Sequence, residues 1–124
     1  MPLQTSPWTI VASREVYSNA WITVVEHDVI RPDGQPGIYG IVGSSLAVGV
    51  VPVTDEGNIV LVGQWRGAFG AWSWEIPEGA ADPGEDGLTA IKRELQEETG
   101  YVARDWARLG PTVQLSNSHT SEEA

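Results

Sequence analysis

Residues 79–101 read GAADPGEDGLTAIKRELQEETGY, and the spacing of their side chains decides the fold. Leu88, Ile91 and Leu95 recur at helical spacing, which predicts an amphipathic helix over about 87–99, with Gly100 placed to end it. Positions three and four apart share one helix face. Glu94, Glu97 and Glu98 therefore project together beside Arg93, downstream of a glycine-rich turn and of Glu85. Clustered carboxylates repel one another unless a cation joins them. Oxygen-only ligands on a rigid helix suit a hard divalent ion such as Mg²⁺ or Mn²⁺. The ordinary alternative for an E-L-Q-E-E run taken by itself is a solvated acidic face.

The wider spacing is far more specific. Gly79 is followed after five residues by Glu85, then after seven more by Arg93, Glu94 and Leu95, with Glu97, Glu98, Gly100 and Tyr101 behind them. At average residue usage, on the order of one start position in a billion would meet all those constraints by chance. This is the pattern of the Nudix box, and the chain resembles the Nudix hydrolases. Tyr101 departs slightly, since the family more often has an aliphatic residue there.

The resemblance implies an α+β fold in which the box helix packs on a mixed β-sheet. It also implies metal-dependent hydrolysis of a diphosphate bond, with Mg²⁺ or Mn²⁺ held by Glu94, Glu97 and Glu98. Glu85 is expected near the metal, and the backbone carbonyl of Glu78 as a further ligand. Many relatives have alanine at that position, so the side chain of Glu78 is a departure. Arg93 is expected to orient a box glutamate, which makes Glu97, Arg93 and Glu94 the candidate catalytic set. The alternatives from spacing alone are a surface Arg93–Glu97 pair and, for Glu85, a favourable charge near a helix N-terminus.

Segments outside the box narrow the branch. Gln64-Trp65-Arg66, then Trp74-Glu75-Ile76-Pro77-Glu78-Gly79, resemble the corresponding segments of ADP-ribose pyrophosphatases. So does Leu115-Ser116-Asn117-Ser118 with Thr120. That resemblance implies that Arg66 contacts substrate phosphate or ribose and that Gly79 lines the substrate site. It further implies that Trp8 and Tyr39 stack on adenine. Residues 1–43 then form an N-terminal antiparallel β extension that pairs subunits into a homodimer, and residues 44–124 form the Nudix domain. The implied substrate is a small nucleoside diphosphate sugar, ADP-ribose giving AMP and ribose 5-phosphate. GDP-sugars, dinucleoside polyphosphates, a nucleotide-binding module without turnover and an inactive fragment stay open as alternatives.

The rest of the chain sets bounds. With 17 acidic and 7 basic residues in 124, the formal net charge is −10, which argues against a nucleic-acid partner. There is no cysteine, so disulfides and thiolate chemistry are excluded. The opening MPLQTSPW lacks the basic and apolar regions of a signal peptide. No run approaches the roughly 18 apolar residues of a membrane span, and a cytoplasmic location is expected.

Strands are predicted over 8–17, 20–30, 38–42, 46–53, 59–65 and 72–76, with two more over 101–103 and 112–115. The nearly continuous apolar run 46–53 suits a strand buried on both faces. The six tryptophans are expected in the core or at a dimer interface. Nudix domains generally continue beyond the equivalent of Ala124 with a strand and a helix, so the C-terminal part of the fold is expected to be missing. The family comparison also puts the general base further along. Glu122 and Glu123 only begin that region, and His119 has the character of an incidental loop histidine.

Overall fold

The computed structural model describes residues 4–115 and 119–120. The chain divides into two compact units, one built on residues up to Ser44 and rejoined by His119 and Thr120, the other running from Ser45 to Val113.

The first unit is an antiparallel meander of β1 (Thr9–Ser18), β2 (Ile22–Ile30) and β3 (Pro36–Ser44), in that spatial order. The Asn19 side chain builds the first turn by accepting from the main-chain N–H groups of Trp21 and Ile22 at 2.8 and 2.9 Å. The second turn closes between Arg31 and Gln35, where the Arg-Pro-Asp-Gly run demands a reversal. β2 and β3 pair without interruption from Ile22↔Ser44 to Ile30↔Pro36, whereas β1 slips register twice, at Val11 and at Val16. Strand alternation separates the two faces. Arg14 is ion-paired with Glu26 and Asp28 on one, while Ser13 and His27 share a 2.7 Å hydrogen bond on the other. The main-chain N–H of Val42 donates to the His119 carbonyl at 2.6 Å, and Val42 forms an isolated parallel bridge with Thr120.

The second unit holds β4 (Ala47–Gly49), β5 (Val62–Arg66), β6 (Ala71–Glu75), β7 (Glu78–Ala80) and the helix α1 (Gly87–Thr99). β4 pairs with β7, and β5 with β6, both antiparallel. The helix covers the span read from its sequence. Asp86 caps its start by accepting from the Thr89 N–H at 2.9 Å. Gly100 ends it at φ +76°, donating its N–H to Gln96 O at 2.9 Å, a conformation that suits glycine. Ala90, Ile91 and Leu95 are buried on the helix face that meets β4 and β7, and Pro77 and Ala81 are buried beside them.

Several expectations need correction. Only residues 47–49 of the apolar run 46–53 form a strand, because Pro52 has no N–H for a ladder and Val51 and Val53 are exposed. Glu78–Ala80, which lies outside every predicted strand, makes a short strand of its own against β4. Residues 101–103 and 112–115 form no named strand. Leu88 lies off the buried helix stripe and is exposed. The tryptophans do not build the core: Trp8, Trp21, Trp65, Trp72 and Trp74 are exposed, and Trp106 is half-buried.

Candidate active site

The short β4–β7 ladder sets Glu78 and Gly79 against the inner face of α1. Gly79 is open enough for the Glu94 carboxylate to lie directly over it. A Cβ at residue 79 would fall 2.3 Å from Cδ and 2.5 Å from Oε1 of Glu94. The two ends of the box motif are thereby closed on each other.

Arg93 organises the carboxylates around that contact. Its guanidinium donates to Glu85 at 2.8 and 3.1 Å, to Glu94 at 2.9 Å and to Glu97 at 3.3 Å. A further N–H reaches the Ala80 carbonyl at 3.1 Å, which ties α1 to the end of β7. Glu85 also accepts from the Asp82 main chain at 3.1 Å, so the loop ahead of the helix is fixed to the same arginine. The Arg93 contact, followed by the Asp82 N–H, holds the Glu85 carboxyl below its ordinary range. Arg93 in turn keeps its proton more firmly than usual, through Glu85 first and Glu94 second.

Glu98 is placed differently. It makes no salt bridge among the described residues and accepts from the Glu78 main-chain N–H at 3.3 Å. Partial burial raises its carboxyl, and neighbouring Glu94 adds to the rise. Glu94, Glu97 and Glu98 thus share the helix face, but Arg93 draws two of them together while Glu98 turns to β7. Among the described residues no three acidic or histidine side chains are gathered into a ready-made metal cage. The donor set is all oxygen, and it carries more negative charge than its arginine neutralises. That chemistry fits a hard divalent cation.

A second arginine cluster adjoins the first. Arg66 on β5 grips Glu75 on β6 through Nε at 2.9 and 3.0 Å and also through Nη2, and the same Nη2 meets Glu78. Gln64 adds a 3.0 Å bond to Glu75. Arg66 holds the Glu75 carboxyl down to about 2. The Glu78 carboxyl is pushed up by partial burial and by the nearby Glu75 and Glu98 charges, against the pull of Arg66. Glu75 and Gln64 have no role of their own in the motif resemblance. The available signal was period two on the hairpin, which sets Gln64, Arg66 and Glu75 on one face.

Trp8 and Tyr39 lie in the first unit, their rings edge-to-face with centroids 5.2 Å apart. They line a cavity of about 250 Å³ with His27, Val29 and Ile41. His119 packs its ring 5.5 Å from Tyr39, and its Nδ1 lies 3.0 Å from the Gly40 carbonyl, a structural placement. Residues 116–118 of the Leu115–Thr120 segment, with Glu122 and Glu123, lie outside the described residues.

The family described as NUDIX domain matches residues 43–123, and the one described as nucleoside diphosphate sugar hydrolase N-terminal domain matches residues 8–42. The chain belongs to the NUDIX family. It is 36% identical over 99 residues to the ADP-ribose pyrophosphatase of Bacillus subtilis (strain 168), covering 80% of this chain and 54% of that protein. It is 33% identical over 100 residues to the ADP-ribose pyrophosphatase of Mycobacterium tuberculosis (strain ATCC 25618 / H37Rv), covering 80% of this chain and 48% of that protein. The crystal structure of an ADP compounds hydrolase matches with a TM-score of 0.79 at 25% identity, over 97% of this chain and 65% of that one. The chain spans about half the length of the curated relatives it matches.

Proposed function

We propose that this chain carries a metal-dependent hydrolase site acting on nucleoside diphosphate sugars, with ADP-ribose cleaved to AMP and ribose 5-phosphate. Water adds across the P–O–P bond, one phosphorus taking the hydroxyl oxygen and the other phosphate leaving with the proton balance. The observation that carries this reading is the Glu94 carboxylate seated over Gly79 and bound by the same Arg93 that holds Glu85 and Glu97. The two ADP-ribose pyrophosphatases among the relatives support the substrate.

In this reading Glu94, Glu97, Glu98 and Glu85, with the Glu78 carbonyl, hold Mg²⁺ or Mn²⁺. When bound, such an ion neutralises phosphate oxygens and lowers the pKa of a coordinated water. Arg93 keeps the catalytic glutamates Glu94 and Glu97 in one orientation. Arg66 contacts the substrate's phosphate or ribose and Gly79 lines the same site, while Trp8 and Tyr39 offer aromatic area to the adenine. Residues 1–43 serve as a dimerising extension and 44–124 as the Nudix domain. The wholly exposed β1, with Ile10, Val11, Val16 and Tyr17 in solvent, supports a homodimer. No helix among the described residues is long and apolar enough to cross a membrane. A cytoplasmic location is part of the same reading.

The test is phosphate-coupled hydrolysis over a nucleotide-sugar panel with Mg²⁺ and with Mn²⁺. ADP-ribose should be the preferred substrate, and Glu98→Gln should abolish turnover while leaving the melting curve intact. Preference for GDP-sugars or dinucleoside polyphosphates would move the substrate. Full activity in the variant would overturn the metal-site assignment.

A further inference from the structure

Two carboxylates compete for Arg66. Glu75 takes Nε and Nη2 together, is mostly buried (16% exposed) and has Gln64 as an extra donor. Glu78 meets Nη2 alone and remains 44% exposed. One guanidinium charge cannot neutralise both, so Glu75 is the anchor and Glu78 the exchangeable partner. The placement of Glu78 sharpens the point. Its main-chain N–H donates to Glu98 while its side chain meets Arg66, so this residue, directly before Gly79, joins the arginine to the box face.

We infer that Glu78 is a built-in competitor for Arg66, its carboxylate occupying the guanidinium edge that an anionic substrate group must take. This rests on the reading of Arg66 as a phosphate contact. A ligand that takes both Nη groups of Arg66 displaces the Glu78 carboxylate from Nη2, which a multiply charged diphosphate does more readily than a singly charged group. Glu78 is then a specificity-determining residue that raises the threshold for weakly charged ligands. Glu75 keeps the arginine in place while the exchange occurs.

A binding cycle with inorganic pyrophosphate as the probe tests this, measured calorimetrically in EDTA on the wild type, Glu78→Gln, Arg66→Gln and the double variant. Glu78→Gln should bind roughly two- to fivefold more tightly, the range for a partly exposed ion pair, and the gain should vanish when Arg66 is replaced. Glu78→Ala should reproduce the gain, and thermal melts check that each variant folds. Equal or weaker binding by Glu78→Gln, or no measurable binding by any form, overturns the inference. An equal gain without Arg66 also overturns it, because general charge repulsion would then account for the effect. ADP-ribose turnover by the wild type with Mg²⁺ is measured separately. Absent turnover with the coupling intact removes the hydrolase reading and leaves the competition standing.

Discussion

The Glu94 carboxylate fills the space into which a side chain at Gly79 would project, with Cδ only 2.3 Å from the position of a Cβ. Contacts that close force one partner to move. Here the partner is the far end of a flexible side chain, so the backbone can stay while the carboxylate is displaced. Gly79→Ala is therefore expected to melt close to the wild type and yet lose activity. A displacement of about 1 Å at a catalytic group costs on the order of 10²-fold, and kcat for ADP-ribose should fall by that order. A large drop in melting temperature with proportionate inactivation would point to a packing role instead.

Arg93 makes three carboxylates and one carbonyl share a single guanidinium. Lysine retains the charge but offers a point where the fork geometry is needed. Arg93→Lys should lower kcat/KM by roughly 10- to 100-fold, as other losses of ligand-orienting partners do. Restored activity at higher Mg²⁺ would show that the arginine acts by placing ligands. Unchanged kinetics would remove it from the site.

The box helix was legible because its signals are local. Ile91 and Leu95 carry the apolar spacing and Gly100 is a cap whose chemistry belongs to a single residue, and the helix covers 87–99 as the spacing predicts. The Arg93–Glu97 contact likewise follows from i, i+4 spacing, and it is present at 3.3 Å. What escaped was set by partners distant in sequence. Glu78–Ala80 is a strand only because β4 lies beside it, and nothing in E-G-A has strand propensity of its own. The 46–53 run looked like a buried strand because hydrophobicity reports composition and not whether a neighbour exists. Val53 meets Ile59 only through an isolated bridge, and the side chains of Val51 and Val53 stay exposed. The anchoring of Arg66 by Glu75 depends on hairpin pairing between β5 and β6, which brings the period-two faces of the two strands into register.

Leu95 is the most thoroughly buried large side chain of the helix, 1% exposed where α1 meets β4 and β7. Leu95→Ala removes that packing and leaves a cavity behind the glutamate face. A loss of about 2–5 kcal/mol is expected in urea unfolding followed by circular dichroism. A change below about 1 kcal/mol would mean that the site collapses freely, and the second unit would then lack a specified core.

β1 is the edge of its sheet, and its two register slips leave Val11 and Val16 outside the paired ladder, both exposed. If this surface joins two subunits, a charge within it is costly to bury. Val11→Lys is expected to shift sedimentation velocity from dimer to monomer without changing the far-ultraviolet spectrum. A wild-type chain that sediments as a monomer at all concentrations would dismiss the pairing.

Asp86 gives the fold its pH dependence at the helix start. Its carboxylate accepts from the main-chain N–H and the hydroxyl of Thr89 at 2.9 and 2.8 Å. These bonds, the main-chain one first, hold it below the ordinary aspartate range. A carboxyl depressed in the folded state binds its proton more readily when unfolded, so the unfolded chain takes up protons first as pH falls. The stabilisation is therefore complete above the ordinary value of about 3.9 and is lost as pH drops through the lower folded value. Melting of wild type and Asp86→Ala from pH 7 to pH 2 reads this directly. The wild type should be the more stable at pH 7, with the gap constant down to about pH 5 and narrowing below it. A gap that widened towards acid would show that the carboxyl is raised on folding, and the capping geometry would have to be reassigned.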